Sequence, residues 1–145
     1  MSNQRDIAFH NGIVMYNQKN YDAAIDWFKK AVNAPYADGE NSDGLIFNNI
    51  ATAYTKINRL DLATAFYEGA ISEGLVNENI LLSLASTYLK DEVYYKAIAT
   101  YEKIIKLYPS SGKAYFLRGK CYKLIGRFFE GDSDLQKAIS LNYYG

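Results

Sequence analysis

The chain has 145 residues, of which 49% are hydrophobic and 22% charged, and its 16 lysines and arginines equal its 16 aspartates and glutamates. This composition excludes a disordered, strongly charged chain, and no apolar run approaches the roughly 18 residues that a transmembrane helix needs. Only two prolines and as many as fourteen tyrosines favour helices that pack through aromatic rings.

Apolar residues recur at helical spacing along the chain, and this periodicity predicts eight helices in four antiparallel pairs. In chain order the predicted helices span 5–18, 21–35, 44–57, 60–74, 78–90, 94–107, 112–125 and 128–141. Pro109 ends the sixth helix, the serines after it can cap the seventh, and Gly126 falls in the last predicted turn. No segment alternates as a strand would, so any β-sheet would contradict this prediction.

The four predicted pairs repeat one pattern of small and large residues. Each first helix has a small residue, followed twelve residues later by a second small residue and then by a large one four positions further on. Successive copies lie 39, 34 and 34 residues apart, and turn formers at 39–43 account for the longer interval. Small residues let two helices approach closely, so each pair should form a tight hairpin. The three sets are Gly12, Ala51, Ala85 and Gly119; Ala24, Ala63, Ala97 and Gly131; and Phe28, Tyr67, Tyr101 and Leu135.

This pattern resembles the tetratricopeptide repeat, a family with a 34-residue period. The fullest copy is the third, with Leu81, Leu84, Ala85, Tyr88, Tyr94, Ala97, Tyr101, Ile104 and Pro109. The resemblance implies an all-α fold, a right-handed superhelical array of antiparallel helix pairs. It implies one domain over 1–145, with units 5–38, 44–77, 78–111 and 112–145 and a loop insertion at 39–43. The end units depart from the pattern, since Ala8, Asn11 and Met15 stand at large positions of the first, and Arg118 and Gly131 replace leucine and alanine in the fourth.

In this family the first helix of each unit lines a concave groove, so the resemblance implies a non-catalytic scaffold or adaptor that holds a peptide or protein segment. Two alternatives remain, a dedicated chaperone for an exported protein and a self-assembling structural repeat module. The residues that correspond to the groove are Phe9, Ile13, Tyr16, Asn48, Asn49, Thr52, Lys56, Leu82, Ser86, Lys90, Lys113, Phe116, Lys120 and Lys123.

The segment from Lys103 to Arg127 carries seven cations and no carboxylate. One interpretation is contact with a partner of acidic character; the other is a solvated face balanced by acids on adjacent helices. The balanced overall charge and the absence of a recognised motif argue against nucleic acid.

The chain offers little for catalysis, because His10 and Cys121 are its only histidine and cysteine, and it lacks a phosphate-binding loop and paired metal-ligand spacing. We therefore expect no enzyme activity, metal or cofactor, and a buried role for the Cys121 thiol. The single cysteine and an amino terminus without a signal-type core predict a cytoplasmic protein that is not inserted in a membrane.

The last predicted helix ends near Leu141, and no further helix follows to cover the fourth unit. We expect an apolar patch there, covered by further chain or by a second copy in a homodimer formed through the C-terminal repeat. The residues available to form it are Tyr115, Phe116, Cys121, Leu124, Phe129, Leu135, Ile139 and Tyr143.

Overall fold

The computed structural model describes residues 3–35 and 41–145, and within these ranges the chain forms eight α-helices and no strand. All eight predicted helices are confirmed, with ends that differ from the predictions by at most two residues. Part of the predicted insertion, 39–40, lies outside the described residues, and Asp43 belongs to the third helix rather than to the insertion. The helices are α1 (Gln4–Asn17), α2 (Tyr21–Asn33), α3 (Asp43–Lys56), α4 (Leu60–Ser72), α5 (Glu78–Lys90), α6 (Tyr94–Leu107), α7 (Gly112–Leu124) and α8 (Phe128–Ser140).

The same tight turn joins the two helices of every pair. Its left-handed residue has a positive φ, and it stands at the same repeat position each time, as Lys19, Asn58, Glu92 and Gly126. Only the last of the four is a glycine, so the other turns accept a conformation that costs ordinary residues about 1 kcal/mol or more. The side chain of Ser111 accepts a hydrogen bond from the Ala114 backbone N–H, which confirms the predicted cap of α7.

The chain divides into two compact units, each built from four helices. Unit 1 (Met1–Val76) contains the hairpins α1–α2 and α3–α4, and α2 packs on α3. Unit 2 (Asn77–Gly145) contains the hairpins α5–α6 and α7–α8, and α6 packs on α7. The predicted packing residues form both cores, and those fully buried are Ala24, Phe28, Ala51, Ala63, Ala85, Ala97 and Tyr101.

The first hairpin is held to the start of α3 by Arg5, whose side chain is only 1% exposed. Its guanidinium donates hydrogen bonds to the carbonyl oxygens of Ala31 at 3.1 Å, Ala34 at 3.2 Å and Asn41 at 2.7 Å, and forms an ion pair with Asp43. Because the last carbonyls of a helix lack partners within it, this arginine caps the carboxyl end of α2.

The fourth hairpin departs from the repeat pattern through a second arginine, which is largely but not fully buried. Arg118 stands at the leucine position, and its guanidinium donates two hydrogen bonds of 2.7 Å to the carboxylate of Asp134 on α8. The two helices approach closely beside this pair, since a Cβ added to Gly119 would lie 2.9 Å from the Gly131 carbonyl oxygen. Gly119 and Gly131 therefore allow the close approach of α7 and α8 beside the ion pair.

Candidate partner-binding surface

In unit 1 the aromatic candidates of α1 are anchored to the second helix of their own hairpin. The ring of Phe9 lies 5.7 Å from the ring of Phe28, and the ring of Tyr16 lies edge-on to Tyr21 at 5.2 Å. Both candidates and Ile13 are half-buried, so each presents only part of its side chain to a partner.

The candidates on α3 form a polar row. The Thr52 hydroxyl donates to the Asn48 carbonyl oxygen at 2.9 Å and also lies 3.2 Å from the hydroxyl oxygen of Tyr67. Because the single hydroxyl proton of threonine is used in the first bond, the tyrosine must donate in the second. The Asn49 amide donates to its own helix at the Leu45 carbonyl oxygen, 3.0 Å away. Lys56, the candidate at the end of this helix, is exposed.

Unit 2 repeats this hydroxyl pair one period later. The hydroxyl oxygen of Tyr101 lies 3.3 Å from the hydroxyl oxygen of Ser86, and the tyrosine is fully buried. Burial raises the pKa of Tyr101 to about 12, so the phenol stays protonated at neutral pH. The repeat pattern predicts only a packing role for this tyrosine. The sequence does contain a pattern that could have indicated this hydroxyl pair. In both middle repeats a serine or threonine stands fifteen residues before a tyrosine, as Thr52 does before Tyr67 and Ser86 before Tyr101.

In unit 2 the first helices α5 and α7 contact each other, and both carry predicted partner-binding residues. Leu82 and Ser86 are half-buried on α5, while Lys90 of α5 is exposed together with Lys113, Lys120 and Lys123 of α7. Phe116 is less available than expected, because its ring packs edge-on against Tyr143 at a centroid distance of 5.4 Å. The Lys120 ammonium lies 5.9 Å from the Phe116 ring.

Carboxylates of α8 neutralise part of the basic segment. Three of its seven cations are paired in this way, and the pairs are Arg118 with Asp134, Lys123 with Asp132 and Arg127 with Glu130. The interpretation as a solvated face balanced by acids therefore holds for Lys123 and Arg127, whereas the pair of Arg118 with Asp134 is largely buried. Among the described residues, no carboxylate lies within ion-pair distance of Lys103, Lys106, Lys113 or Lys120. Of these four lysines, Lys113 and Lys120 lie on a first helix.

The predicted apolar patch at the fourth repeat needs one correction. Cys121 is fully buried in the α6–α7–α8 packing and cannot belong to a surface patch. Burial raises the pKa of the Cys121 thiol to about 11, as expected of a core cysteine. Leu124, Phe129 and Ile139 are exposed, and the four other predicted members, Tyr115, Phe116, Leu135 and Tyr143, are half-buried.

Within residues 3–35 and 41–145, no three His, Cys, Asp or Glu side chains lie close enough together to hold a metal ion. Among the same residues, no helix has the length and apolar character needed to cross a membrane.

Solved structures with the same arrangement of helices are tetratricopeptide repeat proteins. The crystal structure of MamA superposes with a TM-score of 0.83 at 22% identity, covering 97% of this chain and 79% of that one. A protein from Parabacteroides merdae gives 0.85 at 21% identity, over 96% and 54%. YrrB, described as having an unusual peptide-binding site, gives 0.80 at 19% identity, over 94% and 68%. At these identities the likeness concerns the fold.

Sequence comparisons lead to the same family. The uncharacterized protein ycf37 of Guillardia theta is 34% identical over 73 residues, a match that spans 50% of this chain and 39% of that protein. Profiles of the tetratricopeptide repeat match residues 46–73, 80–111 and 112–143, which together make up more than half of the chain. The chain belongs to the tetratricopeptide repeat family.

Proposed function

We propose that this chain is a non-catalytic protein-interaction scaffold that binds a peptide or protein segment on its first helices. Repeats of this family are generally non-catalytic interaction modules, and none of the matching families is enzymatic. The related fold of YrrB, described as carrying a peptide-binding site, supports binding of an extended segment here too.

The observation that carries this proposal is the α5–α7 surface of unit 2. It offers an apolar side chain in Leu82, a hydroxyl in Ser86 and three exposed ammonium groups in Lys90, Lys113 and Lys120. Tyr101 supports Ser86 from the core, so the hydroxyl is held in place before a partner arrives. A preorganised hydroxyl suits a backbone carbonyl, and the lysines suit carboxylates, so the partner should be an apolar segment with acidic side chains.

In unit 1 we propose that the α1 and α3 candidates bind in the same way, with more aromatic and amide character. Thr52 is supported by Tyr67 as Ser86 is by Tyr101, and the exposed edges of Phe9 and Tyr16 provide apolar area. The remaining candidates of this unit are Ile13, Asn48, Asn49 and Lys56.

A charge-reversal experiment tests the proposal. A random peptide library is first selected against the immobilised full chain, and the best peptide is then titrated by fluorescence anisotropy. We expect enrichment of peptides that combine apolar residues with aspartate or glutamate. Lys113→Glu with Lys120→Glu should weaken binding at least about tenfold, since both charges face the peptide.

The matched control is Lys103→Glu with Lys106→Glu, which makes the same charge change on α6 of the same unit. It should leave the affinity within about threefold of wild type, because these lysines lie on a second helix. Equal losses in both double variants would show a nonspecific charge effect and refute the proposed surface. Selection of basic peptides, or of none, would refute the proposed acidic partner.

A further inference from the structure

One face of α1 resembles the buried face of later first helices. The third position of each repeat is Ile46 on α3 and Ala114 on α7, and both are fully buried on helices against which α2 and α6 pack. The corresponding residue of α1, Ile7, is 49% exposed. The position seven residues later shows the same difference, since Val14 of α1 is half-buried and the corresponding Ala53 of α3 is fully buried. The α1 face therefore keeps the apolar surface that receives a preceding helix in other repeats.

A cavity of about 480 Å³ opens beside Ile7, between α1 and the carboxyl end of α2. Its walls include Ala8, Trp27 and Pro35, and the Lys30 ammonium lies 4.4 Å from the tryptophan ring. The cavity can accept large aliphatic side chains from a packed helix.

The opposite surface is presented by α8. Large side chains at the core position of earlier second helices, Phe28 and Tyr101, are fully buried, whereas Leu135 at the same position is half-buried. Four residues further along, Ile139 is 46% exposed, whereas Ile105 at that position of α6 is half-buried. Leu135 and Ile139 thus form the α8 counterpart of the surface with which α6 packs on α7.

Phe129 does not belong to this α8 surface, although it is 84% exposed. Tyr95 occupies the same repeat position on α6, where the α7–α8 hairpin follows in the same unit, and is still 72% exposed. Residues at this position therefore stay exposed whether or not another hairpin follows.

The charges of the two units favour contact between unlike ends. Unit 1 has six lysines and arginines against nine aspartates and glutamates, hence a net charge of −3; unit 2 has ten against seven, hence +3. Two copies that met through their fourth repeats would bring two positive units together, whereas contact between α8 and α1 places a positive unit of one copy beside a negative unit of the other. Such complementarity selects orientation and accelerates encounter.

We propose that a second copy of this chain is the occupant of the α1 face. The α8 surface of one copy packs on the α1 face of another, in the way that α2 packs on α3 and α6 on α7 within the chain. This contact is heterologous, since it leaves one α1 face and one α8 surface unused and lets further copies add.

One side chain moderates this association. Asp132 occupies the repeat position at which Ile25 and Ile98 are 4% and 6% exposed in earlier second helices. It is exposed and forms a 2.8 Å ion pair with Lys123. Bringing this carboxylate into an apolar contact costs desolvation, so association should be reversible rather than permanent.

Sedimentation velocity on the full chain, from about 1 μM to about 1 mM, tests the proposal. We expect species that grow beyond a dimer with concentration and that weaken as salt is added. Ile7→Glu and Ile139→Glu should each weaken association at least about tenfold, and Asp132→Ile should strengthen it. Phe129→Glu is the control and should change nothing, with circular dichroism confirming that every variant is folded.

A mixture of the two glutamate variants distinguishes this contact from a symmetric one. Ile7→Glu keeps a working α8 surface and Ile139→Glu keeps a working α1 face, so the mixture should form one-to-one dimers that neither variant forms alone. If Ile139→Glu abolishes association while Ile7→Glu has no effect, copies pair through their fourth repeats and the proposal is wrong. A monomer over the whole concentration range would also overturn it.

Discussion

The buried ion pair of the fourth hairpin allows a quantitative prediction. Replacing Asp134 by alanine removes the carboxylate that pairs with Arg118, whose side chain is 18% exposed and whose guanidinium lies 5.5 and 5.6 Å from the rings of Tyr115 and Tyr122. Removing one partner of a fully buried pair costs about 3–5 kcal/mol. Because the arginine keeps some contact with water and with two aromatic faces, we expect Asp134→Ala to lower the free energy of unfolding by about 3 kcal/mol.

Removing both charges should restore most of this stability. Arg118→Leu with Asp134→Ala places leucine where the repeat pattern has it, and apolar replacement of a buried ion pair is often neutral or stabilising. We expect the double variant to lie within about 1 kcal/mol of wild type, and therefore to be about 2 kcal/mol more stable than Asp134→Ala. Measuring Arg118→Leu as well completes the double-mutant cycle for the two sites.

Urea unfolding followed by circular dichroism and tyrosine fluorescence measures these differences. The matched control is Asp132→Ala, which breaks a pair on the same hairpin whose carboxylate and ammonium side chains are 64% and 42% exposed. An exposed pair contributes about 0–1 kcal/mol, so this variant should hardly change stability. If Asp134→Ala cost no more than the control, or if the double variant were no more stable than Asp134→Ala, the pair would not have the role that its burial implies.

Three further changes test the packing. Gly131→Ala creates the family's usual residue but should lower stability by about 1–2 kcal/mol, because its Cβ would lie 2.5 Å from a neighbouring side-chain carbon. Gly69→Ala, whose Cβ would have its nearest contact at 3.6 Å, should raise stability by about 0.5–1 kcal/mol. Equal effects of the two changes in urea unfolding would contradict this prediction. Arg5→Ala should cost about 3 kcal/mol or more, as it leaves helix-end carbonyls buried without their donor, and a loss below about 1 kcal/mol in the same assay would refute its capping role. Burial raises the pKa of the Cys121 thiol to about 11, so the thiol should be inert to a disulfide reagent near pH 8 until urea unfolds the chain, and rapid labelling of folded protein would contradict its burial. The stability that the protonated thiol contributes is complete below the ordinary thiol pKa and is lost as pH rises through about 11.

The helices, their pairing and the residues that fill each hairpin could all be predicted from the amino-acid sequence. A helix places residues three and four apart on one face, and the small, small and large positions recur with every unit, so all of this could be read along the chain. The burial of Ala24, Ala63 and Tyr101 followed from that pattern. It also gave the first-helix positions proposed to contact a partner, because their place in the repeat follows from the same spacing.

The contacts of the polar and charged side chains could not be predicted in this way, because their partners come from other helices. The sequence does not show that Arg5 caps α2 or that Arg118, at a leucine position of the repeat, is held by Asp134. The repeat pattern predicts that the ring of Tyr101 is buried, but it does not predict the hydrogen bond between the Tyr101 hydroxyl and Ser86. Ile7 and Phe129 are both exposed, yet only Ile7 stands at a repeat position that is buried in later first helices. Local periodicity determines which way a side chain points, whereas the neighbouring helices determine what it meets there.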